Sequence, residues 1–199
     1  IAKSLSGDQP CLLSTWVGGR VKEKRPRADT GSLAVWKTNH TALLGKTVAR
    51  LTAEGWKCSV ESFFRVTGQT AAISGKADCI AQQADKRPLI VDVKSGEPRE
   101  SDVIQVAIEM VMLPLAWESP SMIFDGKVIY KTHEVQVSQS HKADLKPKII
   151  ALLRDLGTMP RPEASPSFSA CRFCAVPDSE CPARVKAARE PHLATTGLF

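Results

Sequence analysis

GKADCIAQQADKRPLIVDVKSG, residues Gly75 to Gly96, decides the fold. Its first half, taken with the residues from Gln69, reads as one β-strand, and Arg87 to Gly96 reads as the next. Side chains alternate across a strand, so Asp92 and Lys94 project to one side while Val91 and Val93 project to the other. Leu89, Ile90 and Val91 mark this as a core strand. Burying a charged pair there would cost on the order of several kcal/mol unless a metal, a partner or solvent compensates it. Asp78 lies late on the preceding strand, where cross-strand pairing can bring its carboxylate close to that of Asp92.

Two neighbouring carboxylates repel, and a divalent cation relieves the repulsion. Oxygen ligands of this kind suit Mg²⁺ or Mn²⁺, and an adjacent ammonium can position a water or stabilise developing charge. The reaction class that follows is phosphodiester hydrolysis. The spacing alone fits equally well a surface ion pair at a strand end, with Asp78 merely starting a turn.

Working outward, WKCSVESFFRV (56–66) reads as a strand joined to the next by a Thr67-Gly68 turn, which makes an antiparallel meander of three strands. Before it, Thr38 to Glu54 carries Leu43, Leu44, Val48 and Leu51 at helical spacing, with His40 near the helix start. After it, SDVIQVAIEMVMLPLA (101–116) is a second helix, with Ser101 as N-cap and Pro114 near its end. SMIFDGKVIYKTHEVQV (121–137) is expected to be a hairpin turning at Asp125-Gly126. HKADLKPKIIALLRDLG (141–157) reads as a helix interrupted by Pro147 and stopped at Gly157. The class is α/β, and the expected organisation is an N-terminal segment (1–30), a core (31–157) and a cysteine-rich C-terminal segment (158–199).

A chain of 199 residues with 43% hydrophobic content holds one substantial core. No run approaches the 18 or more apolar residues of a membrane span, and IAKSLSGDQP lacks the apolar core of a signal peptide, so the expectation is a soluble, cytoplasmic protein without membrane partners. The net charge of +6 and pI near 9.1 make a polyanion a plausible partner. The run of Arg20, Lys22, Lys24, Arg25 and Arg27 reads as a mobile basic loop, with a solvated surface and a nucleic-acid contact as its two readings. Trp16 and Trp36 read as core residues, the alternative being exposed faces that stack bases.

Six cysteines divide unevenly. Cys171, Cys174 and Cys181 stand in a C-x2-C-x6-C spacing on a proline-containing segment suited to wrapping a metal centre. Cys58 and Cys79 fall in predicted strands, where free cysteine behaves as a small apolar residue, which leaves Cys11 as the fourth thiolate. Four thiolates bind Zn²⁺ tetrahedrally or hold an iron-sulfur cluster, and spacing does not choose between them.

The order Glu61, then Asp78 in GKAD, then Asp92 and Lys94 in VDVK, then a helix carrying Gln105 resembles the RecB-type branch of the PD-(D/E)XK nucleases. The resemblance implies a restriction-endonuclease-like core, a mixed central sheet flanked by helices. It implies that His40, Asp78 and Asp92 bind a catalytic Mn²⁺ or Mg²⁺, that the Val93 carbonyl adds a ligand, and that Lys94 assists the attacking water. Gln105 matches the branch's Gln-x-x-x-Tyr helix as a supporting residue, but Glu109 stands where the tyrosine belongs. Glu61 is an accessory acid beside the site.

With Cys11 before these motifs and three cysteines after them, the whole pattern is similar to the CRISPR-associated Cas-four exonuclease family, although Leu12 and Leu13 follow Cys11 where relatives carry proline and a basic residue. This implies a 4Fe-4S cluster on Cys11, Cys171, Cys174 and Cys181 in a lobe formed by the two chain ends. It also implies exonuclease action on single-stranded DNA ends, and partnership with the CRISPR integrase complex in spacer acquisition. Readings from other classes are a stand-alone phage or DNA-repair nuclease, and a non-catalytic DNA-binding module with a degraded site.

Overall fold

The strand Leu89–Lys94 is buried along nearly its whole length, so it must be covered on both faces. Its alternation sorts the cover. Leu89, Val91 and Val93 pack with Leu43, Leu44, Val48 and Leu51 of one helix, and Ile90 packs in a second cluster with residues of two others. That arrangement is a helix–sheet–helix sandwich, shown by a computed structural model that describes residues 1–6, 11–20, 31–69, 71–172 and 174–186.

In chain order the described elements are α1 (Ala2–Leu5), α2 (Leu12–Gly18), α3 (Gly31–Ala53), β1 (Lys57–Thr67), β2 (Ala72–Gln82), β3 (Leu89–Lys94), α4 (Glu100–Ala116), β4 (Asp125–Tyr130), β5 (Glu134–Val137), α5 (Gln139–Thr158), α6 (Phe168–Arg172) and a 3₁₀ turn, Asp178–Glu180. The sheet order is β1-β2-β3-β4-β5. β1, β2 and β3 form the antiparallel meander read from the sequence, β4 runs parallel to β3, and β5 returns antiparallel. The parallel step needs a crossover, which α4 supplies across the Ile90 face. The protein is thus a mixed α/β structure with a five-stranded mixed sheet flanked by helices.

The chain divides into two compact units, one formed by Ile1–Gln9 and Asp29–Pro160, the other by Pro10–Ala28 and Arg161–Phe199. The described residues 1–6 therefore belong with the sheet, where Ile1, Ala2 and Leu5 pack on its main cluster. Among the described residues no helix is long and apolar enough to cross a membrane. Of the basic loop only Arg20 is described; Lys22, Lys24, Arg25 and Arg27 lie outside the described residues.

Four local expectations are corrected. Asp125-Gly126 is not the hairpin turn; both residues lie in β4, and the chain reverses between Tyr130 and Glu134. Gly126 is there for packing, because a Cβ would stand 2.6 Å from Met110 Sδ and 2.7 Å from Val106 Cγ1 on α4. Only glycine lets that helix approach so closely. Pro147 does not interrupt α5, which runs unbroken from Gln139 to Thr158. Proline removes one donor to the carbonyl of Ala143, and both residues are exposed, where solvent is free to replace it. α4 begins at Glu100 with Arg99 as N-cap, two residues before Ser101, and the Asp102 carboxylate reaches back to the Arg99 N–H at 3.1 Å. α3 begins at Gly31, which puts His40 well inside the helix instead of near its start.

Candidate active site

The side chains singled out in the sequence converge at the C-terminal end of β3. Asp92 (1% exposed) faces α4, as the alternation requires, and its Oδ1 accepts a hydrogen bond from Gln105 Nε2 at 2.8 Å. The same amide offers its Oε1 to the Lys94 ammonium at 3.0 Å. Lys94 Nζ also stands 2.7 Å from Asp92 Oδ2, a charge-assisted contact to a buried oxygen. Gln105 is therefore a bridge that fixes both charged groups.

Asp78 enters from β2. The β2–β3 ladder runs from Ala81↔Leu89 to Cys79↔Val91, and at the next step the Asp78 carboxylate replaces backbone: its Oδ2 accepts the Val93 N–H at 2.9 Å. On its other side the β1–β2 ladder pairs Val60 with Cys79 and Ser62 with Ala77, and Glu61 between them sits at φ 51°, in the left-handed region. His40 Nε2 reaches the same Asp78 oxygen at 3.2 Å from α3. One carboxylate oxygen thus joins three elements. Val93 itself is fully buried. The Glu61 carboxylate is taken by the exposed Lys76 ammonium at 2.7 Å, on the edge strand.

Trp36 corrects an expectation: it is 49% exposed and lies with its ring 5.2 Å from that of His40, so it is a surface residue beside the site. The sequence had no signal for Glu109 beyond its departure from a motif. It is 3% exposed, receives Gln105 Nε2 at 3.4 Å on Oε1, and leaves Oε2 buried without a partner. Tyr130, the chain's one tyrosine, pairs with Lys94 across the parallel ladder and donates its hydroxyl to Asp102 at 3.1 Å, tying the start of α4 to the sheet.

Burial sets the electrostatics. It pushes the Asp92 carboxyl up to about 7; the Lys94 ammonium beside it pulls the other way and the Asp78 carboxylate adds to the rise. Burial pushes Glu109 up to about 8, reinforced by Asp92. For Lys94, burial is the largest influence and lowers the pKa, but the carboxylates of Asp92, Asp102 and Asp78 together outweigh it, and the pKa is raised. Among the described residues no three His, Cys, Asp or Glu side chains stand close enough together, as placed, to hold a metal ion. The donor chemistry nevertheless fits a hard divalent cation: an imidazole, His40, beside the carboxylates of Asp78 and Asp92, with one further buried carboxylate oxygen, Glu109 Oε2, left without a partner.

A pH dependence follows. Both raised acids take up protons on folding, so their contribution is full below their ordinary range near pH 4 and is lost as pH rises through about 7 and about 8. With a chelator present, the melting temperature is expected to fall between about pH 4 and pH 8. Glu109→Gln should flatten that fall and stabilise the protein by about 1–4 kcal/mol at the alkaline end. Scanning calorimetry across pH checks this, and a variant with the wild-type slope would refute it.

In the second unit, Cys11, Cys171, Cys174 and Cys181 line one small cavity together with Leu13 and Val176. Cys171 and Cys181 are buried, and all four are free thiols. Burial raises the Cys181 pKa and the Cys11 and Cys171 thiolates add to it, as expected for neighbours. Cys58 and Cys79 stay out of this set, in the sheet; burial pushes Cys79 up to about 12, which makes it inert. Sequence reasoning missed Arg184. It is 9% exposed, and its guanidinium donates to the carbonyls of Cys171 (3.0 Å), Cys174 (3.4 Å) and Val176.

No protein-family model matches the chain, and no curated protein matches it. Among solved structures, the crystal structure of SSO0001 is similar at 16% identity over 78% of this chain and 73% of that one, with a TM-score of 0.48.

Proposed function

We propose that the protein is a metal-dependent deoxyribonuclease of the PD-(D/E)XK type, acting as an exonuclease on single-stranded DNA ends. The observation that carries this reading is the buried network of Asp92, Lys94, Gln105 and Asp78 with His40, built at the end of a core strand where unpaired charge is costly. Charge is retained in such a place when chemistry needs it. His40, Asp78, Asp92 and the Val93 carbonyl would hold Mn²⁺ or Mg²⁺, which when bound polarises a phosphate oxygen and acidifies water.

Lys94 is held charged, so it serves as a hydrogen-bond donor and a cation toward a phosphate or an incoming water, and it is not a base. Gln105 keeps the ammonium and the Asp92 carboxylate at fixed spacing. Asp78 is aimed by the Val93 N–H, which donates to its Oδ2, and stands against His40 Nε2. Cys11, Cys171, Cys174 and Cys181 would hold a 4Fe-4S cluster, a reading supported by the one cavity that all four line, and the cluster would staple residues of the second unit to one another. By the resemblance described above, the biological setting is trimming of DNA before CRISPR integration, in the cytoplasm and beside the integrase complex.

The test is incubation of end-labelled single-stranded DNA with Mn²⁺ or with EDTA. Shortening only with metal is the expected result, and the label position gives direction. Metal-loaded protein that binds DNA and never cuts it would replace this reading with the binding-module one.

A further inference from the structure

A cavity of about 560 Å³ lies in the sheet-bearing unit at the end opposite Asp92 and Lys94, where β3 and β4 begin. Leu89, at its edge, is about 16 Å along the strand from Lys94. Its wall is unlike a random surface. Trp56 provides a half-buried aromatic face with the Lys86 ammonium 5.2 Å from the ring centre, and Arg87 and Lys127 add two further cations. The single acid lining it, Asp125, is only loosely engaged by Arg87 at 3.7 Å. Lys127 shares the Glu134 carboxylate with Arg50, so one carboxylate faces two cations. The N-terminus of α5, capped by Ser138 and without an acidic residue in its first turn, points its helix dipole at the same space.

We infer that this cavity is a second nucleic-acid site, one that takes the phosphodiester backbone of a single strand on Lys86, Arg87 and Lys127 and a base or sugar against Trp56. The charge excess selects an anion, and an aromatic wall beside lysines suits a chain that alternates phosphates with flat rings. A single strand held there while another part of it lies at Asp92 would be engaged at two places, which favours retention of long substrates over short ones. The inference rests on the nuclease reading for the nature of the polymer and adds a site to it.

The experiment measures binding of a fluorescein-labelled single-stranded oligonucleotide to the full-length protein in EDTA, by anisotropy over a range of salt. Lys86→Ala/Arg87→Ala, both at exposed positions, should bind about tenfold more weakly, with the slope of log K against log salt reduced by about 1.4 for two lost phosphate contacts. An unchanged affinity and slope would overturn the inference, as would calorimetric binding of free dAMP to this site without any effect of the variant on the oligonucleotide. The two readings fail separately. Wild type that binds no DNA removes both, whereas wild type that cuts DNA, beside a double variant with unaltered binding, removes only the second site.

Discussion

Lys94→Ala is expected to lower DNA cleavage by about 10²–10³-fold, the loss typical of one pre-organised donor at developing charge. The argument lies in the hydrogen bonds. Lys94 brings the ammonium of the network, and it is oriented by Gln105 Oε1 at 3.0 Å and by Asp92 at 2.7 Å. Removing it leaves Asp92 with its Gln105 hydrogen bond, so the carboxylate stays in place, but it removes the positive charge that a phosphate or a water would meet. Without that cation Asp92 becomes harder to ionise at neutral pH, because the attraction that opposed burial is gone. A loss of metal affinity alone would be overcome by more Mn²⁺. The expected loss is in kcat and persists at saturating Mn²⁺, while oligonucleotide affinity changes by no more than a few-fold. Full recovery at high metal would show that Lys94 acts only through Asp92.

The core strands were legible because alternation is a local signal. Asp92 and Lys94 on one face of a run of Val and Ile could be read directly, and the β2–β3 register put Asp78 within reach as expected. What failed were residues whose local preference and tertiary role diverge. Gly126 carries a strong turn signal, yet its reason for being glycine is Met110 and Val106 on a helix sixteen and twenty residues earlier. Pro147 breaks a helix on paper, and only the exposure of Ala143 shows that the freed carbonyl is harmless here. α3 extends past its amphipathic part to Gly31, where exposed residues such as Val35 and Trp36 give no core-facing period to read.

Glu109 and Arg184 were illegible for a different reason. Charged residues are normally exposed, so a sequence gives no warning of the few that are buried and wholly dependent on their neighbours. In both cases the three-dimensional setting makes the residue matter: Glu109 extends the Gln105 bridge, and Arg184 organises the backbone around the thiols.

Arg184→Ala should therefore disrupt the cysteine-bearing unit, at a cost of about 3–5 kcal/mol, as for breaking a buried charged group's contacts. Its guanidinium spans the carbonyls of Cys171, Cys174 and Val176, and its Nε stands 2.7 Å from Asp178 Oδ1, so one side chain gathers the loop between the second and fourth cysteines. Nothing else described in that loop offers so many donors from one centre. Arg184→Lys should not rescue it, because an ammonium cannot present donors in a planar fork to several carbonyls at once. The measurement is the rate at which Cys171 and Cys181, each 7% exposed, react with a thiol reagent in chelator-treated full-length protein. Both variants are expected to react faster than wild type and to be cut by protease within residues 161–186, while the melting of the sheet-bearing unit holds. Wild-type protein purified without oxygen should be brown and the variants pale; a colourless wild type carrying zinc on four intact thiolates would overturn the iron-sulfur assignment, and wild-type labelling rates in Arg184→Ala would overturn the bracing role.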